Sequence, residues 1–171
     1  MRMWETMRDL PWARIATYAP IVTASVAVLG GAIALTSIIV QRNLARRRAA
    51  VDFFLKVEMD EKMMQAFERF ESATEQLKAK SMEQLTQNMY KDIRKSLDIF
   101  ELFAVGIRNR IFDHHICYHY WSDTVRDGVR DTQQIIIHAR NEPGGEKTYE
   151  QILLLNKRWT SKPRIWQRWR D

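Results

Sequence analysis

The stretch Asp113-His114-His115-Ile116-Cys117-Tyr118-His119 holds three of the four histidines of this 171-residue chain and its single cysteine. These are the side chains best suited to metal ligation or nucleophilic chemistry. Zinc needs three or four neutral imidazoles or thiolates converging within about 2.0–2.3 Å of the ion. On a helix, His115 and His119 lie one turn apart on a single face, a usable pair. Cys117 points away from that pair, toward the side of His114 and Asp113. Only an extended backbone gathers His115, Cys117 and His119, and the flanking residues do not read as a strand. A helical two-His pair needs ligands from elsewhere; His138 is the only other imidazole, so a four-His site would take two protomers. The spacing favours a helix with partly exposed imidazoles and aromatics over a metal centre or a pH-sensing cluster. Cys117 as a nucleophile lacks an oxyanion device or a Gly-rich turn.

Asp98 and Glu101 are three residues apart, with Glu101 set inside an apolar run, IFELFAVGI. Two carboxylates on one helical face suit acid–base work or half of a di-metal site. A di-iron bundle would carry Glu-x-x-His repeats, and there are none. An unpaired buried carboxylate is costly, so the expectation for Glu101 is a structural ion pair with Arg108, Arg126 or Arg130. No P-loop, dinucleotide fingerprint, HExxH or GxSxG occurs. The residues point to a non-enzymatic protein with no catalytic residue, cofactor or resident metal.

The C-terminal segment, Lys157 to Arg170, interleaves basic residues with Trp159, Trp166 and Trp169. Cations with interspersed indoles stack on bases and neutralise phosphates, and they equally suit an anionic membrane surface. The formal net charge of +6 is moderate and favours no nucleic acid. The expectation is that Trp159, Arg164, Trp166, Arg168, Trp169 and Arg170 touch a membrane surface or partner, with core docking of Trp159 and Trp166 as the rival reading. Arg46-Arg47-Arg48 reads as a basic flank that stops translocation.

These groups must be positioned by something, and the first element is the clearest. Ile21 to Val40 is a run of twenty residues without a charge, about 30 Å as a helix, the thickness of a hydrocarbon core. It predicts one membrane span, in contact with lipid. Trp4, Trp12 and Tyr18 suit an interfacial belt, and Pro20 suits a helix start. Arg42, Arg46, Arg47, Arg48 and Lys56 outnumber Arg2, Arg8 and Arg14. That bias puts the N-terminus outside and the C-terminal domain in the cytoplasm, in a cell inner membrane. A signal peptide cleaved near Ala32-Ile33-Ala34 is the competitor; the apolar run continuing to Val40 argues against it. Thr23, Ala27 and Gly31 recur every four residues, with Gly30 and Ala34 beside them. Small residues at this spacing let two spans approach closely, which predicts a homo-oligomer or a membrane-protein complex. The lone cysteine fits a reducing compartment.

Behind the span the mean hydropathy demands a polar remainder. Residues 42–59 contain no Pro or Gly, so the span's helix continues through them. Asp60 caps a second helix carrying Met63, Ala66, Phe67, Phe70, Ala73 and Leu77 on one face. Ser81 and Gln84 form a capping box before a stripe of Leu85, Met89, Ile93, Leu97, Phe100, Ala104 and Ile107. Asp113 opens a short helix and Asp123 a longer one carrying Val125, Val129, Ile136 and Ala139. Asn141-Glu-Pro-Gly-Gly145 is a loop, and Thr148 with Gln151 caps a last helix carrying Tyr149, Ile152, Leu153 and Trp159. The chain reads as all-α: a lead over 1–18, a span over 19–41, a cytoplasmic amphipathic bundle over 42–156 and a basic Trp-rich tail over 157–171.

The stretch FELFAVGIRNRIFD, Phe100 to Asp113, resembles the hallmark segment of an uncharacterised bacterial family of small single-span, membrane-anchored helical proteins, defined only as a domain of unknown function. The basic turn into AAVDFFLKVEMDE and the late Lys157-Arg158-Trp159 also fit that pattern. The resemblance implies an all-α, single-span architecture with no known activity, and the His-rich stretch after Asp113 lies outside it. Together these readings describe a membrane-anchored accessory or scaffold subunit acting through interaction. A metal-dependent sensor or enzyme at His114–His119 and a tethered nucleic-acid binder using the tail stand as alternatives.

Overall fold

The computed structural model describes residues 12–79 and 84–161, with side chains from Tyr18 onward. Among these residues there are six helices and no strand: α1 (Trp12–Met59), α2 (Glu61–Ala79), α3 (Gln87–Arg108), α4 (His114–Asp131), α5 (Gln133–Asn141) and α6 (Glu150–Ser161). The chain divides into two compact units at Leu44 and Ala45.

In the first unit every described residue from Tyr18 to Leu44 is exposed. α1 includes the one stretch among the described residues that is long and apolar enough to cross a membrane. Its hydroxyls are satisfied within the helix: Thr23 donates to the Ala19 carbonyl at 2.9 Å, Ser25 to Ile21 at 2.8 Å and Thr36 to Ile33 at 2.8 Å. Pro20 lies inside the helix, which begins earlier, at Trp12. A proline lacks one N–H but keeps helical φ, so the price is a lost backbone bond and not an obligatory stop.

In the second unit α2 packs on α3, and α6 packs on α3 and α4. α3 is the central element: Ile93, Leu97, Phe100 and Phe103 are completely buried along its length. Their spacing of three to four residues puts them on one helical face. The α2 stripe is observed as anticipated, with Phe70, Ala73 and Leu77 buried. Asp60 breaks α1 from α2 by accepting the Lys62 and Met63 amides at 2.9 and 3.3 Å.

Helix boundaries differ from expectation in three places. α3 starts at Gln87, capped by Thr86, whose hydroxyl accepts the Met89 amide at 3.4 Å; Ser81 lies outside the described residues. α4 runs unbroken past Asp123, because nothing from His114 to Asp127 disrupts a helix and Asp123 pairs with Arg126 one turn on. The break falls at Thr132, which is buried and bonds back to the Gly128 carbonyl at 2.6 Å. The start of α6 is capped by a residue distant in sequence. Glu101 accepts the Gln151 and Ile152 amides at 3.0 and 2.8 Å.

The turn between α3 and α4 doubles back tightly. Arg110 takes a left-handed φ of 57°, and the Ile111 amide returns to the Gly106 carbonyl at 2.9 Å. This seats the Phe112 ring on Gly106, where an added Cβ would lie 2.4 Å from the ring. Gly106→Ala is expected to cost about 1–3 kcal/mol through overpacking. In a Phe112→Ala background the added cost is expected to vanish, as thermal unfolding of the purified full-length chain would measure.

Candidate functional site

Asp113 ties the end of that turn to α1. Its Oδ1 accepts the His115 and Ile116 amides at 3.0 and 3.1 Å, which caps α4. Its amide donates to the Arg46 carbonyl at 3.2 Å, and its Oδ2 lies 3.6 Å from the Arg47 Nε. Of the basic triplet, Arg46 is half-buried while Arg47 and Arg48 are exposed. Two of the three therefore present their side chains to solvent, although Arg47 also serves this ion pair.

The histidine cluster does not form a converging site. No set of three His, Cys, Asp or Glu side chains among the described residues is placed to hold a metal. The Trp159 indole N–H donates to His114 Nε2 at 2.9 Å, which places the proton of a neutral His114 ring on Nδ1. Cys117 is completely buried, and burial, with the nearby Asp113 charge, pushes its thiol up to about 12. A thiol so held is neither a nucleophile nor a ready ligand. His115 and His119 are exposed, with their Nε2 atoms 3.2 Å apart. The expected face sharing is present, but His114 and Cys117 do not join it. The helical backbone of α4 sends His114 and Cys117 away from the His115–His119 face, as the spacing predicts.

Trp159 is 2% exposed, packed against Tyr118 with ring centroids 5.6 Å apart. It belongs to α6 and the core, not to a surface-seeking tail, because the helix continues through Lys157-Arg158-Trp159 to Ser161. Arg164, Trp166, Arg168, Trp169 and Arg170 lie outside the described residues.

Glu101 is not held by Arg108, Arg126 or Arg130, and no ion pair to it is found among the described residues. Its oxygens instead meet the α6 amides, where the helix dipole favours a negative charge. It extends a polar row on α3. Arg94 forms an ion pair with Glu142 at 3.1 Å, and Tyr90 donates to the same carboxylate at 3.2 Å. The Tyr149 hydroxyl donates to Asp98 at 3.2 Å. Burial, reinforced by Asp98 and opposed by Arg94, pushes this phenol up to about 12, so it remains a donor. Tyr149 takes a φ of 60° directly before α6. Arg94, Asp98 and Glu101 thus fasten the loop and helix that follow α5, and Arg94 and Asp98 also line an open cavity of about 530 Å³ with Arg69, Lys91, Asp92 and Lys95. Sequence reasoning found Asp98 and Glu101 but missed Arg94, Glu142 and the role of Tyr149. The four- and three-residue spacing of 94, 98 and 101 was the available signal.

In the first unit, Thr23, Ala27, Gly30, Gly31 and Ala34 are all exposed, and nothing lies within 4 Å of a Cβ built on Gly30 or Gly31. The face is open to close approach by another helix.

Burial lowers the pKa of His114 below its ordinary 6.5, and the charge of Arg158 adds to this. A lowered folded value means that the unfolded chain takes up the proton first. Stability is then complete above about pH 6.5 and declines as pH falls toward the lowered folded value. His114→Gln is expected to flatten that decline, measured as melting temperature against pH. An equal decline in the variant would assign the effect to other groups.

A search of curated proteins and of solved structures finds no significant match to this chain. A family described as a domain of unknown function, DUF4760, matches residues 24–159. That match covers most of α1 and all of α2–α5, and it ends at Trp159 within α6. The chain belongs to the DUF4760 family.

Proposed function

We propose that the protein is a single-span membrane anchor whose helical domain faces the cytoplasm. It would act without catalysis, as an accessory or scaffold subunit that associates with itself or with another membrane protein. The observation that carries this reading is the uncovered apolar surface of α1. Ile21, Val26, Leu29, Ile33 and Ile38 are each at least 60% exposed, far more contiguous apolar surface than water tolerates on a soluble monomer. Lipid suits such a helix because its backbone N–H groups are bonded inside it, Pro20 near the start of the apolar run being the one interruption. The internally bonded Thr23, Ser25 and Thr36 hydroxyls suit the same solvent.

Association follows from the small-residue face. In lipid there is no hydrophobic drive between helices, so close backbone approach at Thr23, Ala27, Gly30, Gly31 and Ala34 supplies the packing. The exposed Arg47 and Arg48 side chains support contact with anionic headgroups and a cytoplasmic flank.

The chain is expected to stay in membranes through a carbonate wash, with its original N-terminus intact and residues after Ala45 open to protease only from the cytoplasmic side. Gly31→Leu is expected to reduce self-association or recovery of a membrane partner several-fold while leaving the protein membrane-bound. Release by carbonate, or a mature chain beginning after Ala34, would refute the anchor. A Gly31→Leu protein that associates like the parent would refute the packing face alone.

A further inference from the structure

A groove between α2 and α4 joins two adjacent cavities of about 350 and 370 Å³ that share Phe67, Glu71 and Thr124. Its floor is apolar, formed by Phe67, Phe70 and Trp121, and Met64 stands 46% exposed at one end. The α4 wall carries Asp123, Asp127 and Asp131, already paired with Arg126, Arg130 and Lys78. The α2 wall is different. Glu68, Glu71 and Glu75 line it, exposed and without an ion pair among the described residues. Like charges three and four residues apart on one helix face repel each other, so this row lowers the stability of α2 unless cations meet it.

We propose that this groove is the docking site of the chain's own C-terminal segment, residues 162–171. That segment, KPRIWQRWRD, supplies what the groove lacks: Arg164, Arg168 and Arg170 for the glutamates, and Trp166 and Trp169 for the two cavities. Each cavity has room for an indole, and Arg pairs with carboxylates through a planar two-point fork. The reach is sufficient. Trp159 already touches His114 and Tyr118 at the start of α4. From Tyr118 to Asp131 is about 20 Å along the helix axis, while ten residues extend to about 33 Å. Docking within one chain also gives the segment a high effective concentration at the groove. The inference stands on the second unit alone and does not depend on α1 spanning a membrane.

The test is disulfide formation in the full-length chain, held in phosphatidylcholine nanodiscs, between Trp166→Cys and Thr124→Cys. The reference pair is Trp166→Cys with Leu102→Cys, since Leu102 is 66% exposed on α3 and outside the groove. The Thr124 pair is expected to close within one chain about ten-fold faster or more, and to slow as salt is raised. Glu68→Lys, Glu71→Lys and Glu75→Lys together are expected to bring the rate down to the reference. Adding Arg164→Glu, Arg168→Glu and Arg170→Glu is expected to restore it, which a merely misfolded groove would not allow. Equal rates for the two pairs would overturn the proposal. So would disulfide-linked dimers, which would assign the groove to a second copy. Loss of the fast reaction when phosphatidylglycerol is included would assign the segment to lipid and overturn it equally.

Discussion

The second unit depends on one aromatic cluster, in which Phe53 and Phe54 of α1 meet Phe103 of α3 and Trp121 of α4. Phe53 stacks on Phe103 at 5.4 Å between centroids, and Trp121 meets Phe103 edge-on at 5.0 Å. Phe54 joins Trp121 at 5.5 Å, and Phe67 of α2 meets the same indole at 5.6 Å. Offset and edge-to-face pairs of this kind gain about 0.5–1.5 kcal/mol each beyond the area they bury. Helices from four parts of the chain thus share one indole. α2 is held on α3 as well by its buried Phe70, Ala73 and Leu77, with Phe70 meeting Phe100 edge-on at 5.7 Å.

Around that cluster, polar side chains set position more than they supply chemistry. Asp113 caps α4 and binds Arg47, Glu101 caps α6 from α3, and Arg94 holds Glu142 in the loop after α5. Each links elements distant in sequence through a charge-assisted bond, the stronger kind. Gly144, at a φ of 81°, makes the loop between α5 and α6 possible, and Gly145 fits where a Cβ would sit 2.2 Å from the Ala139 carbonyl. Among the described residues Cys117 and Tyr149 are buried in neutral form and His114 accepts the Trp159 indole, while His115 and His119 stay exposed on α4.

The apolar stripe of α1 and the charged groove beside α2 are open surfaces, whereas the interior is closed and chemically quiet. Surfaces of these two kinds recognise different things: an exposed apolar helix takes lipid or another span, and a carboxylate-lined groove takes cations. The first lies within residues 1–44 and the second within residues 45–171.

Local signals in the chain determined the helices themselves. The apolar run from Ile21 to Val40, the Asp60 and Asp113 caps, the loop at Pro143–Gly145 and the three-to-four-residue stripes of α2 and α3 all needed only neighbours in sequence. Element identity follows from such short-range physics. Which partner each polar group would find was decided by the tertiary structure. Glu101 had arginines to choose from in sequence, but packing α6 against α3 brought two unsatisfied amides closer. Trp159 looked like part of a basic surface tail until α6 laid it against His114 and Tyr118. The glutamates of α2 became one wall of a groove only when α4 came alongside. Periodicity specifies the face a residue occupies, while the neighbour across that face comes from a distant part of the chain, and only the assembled fold brings it there.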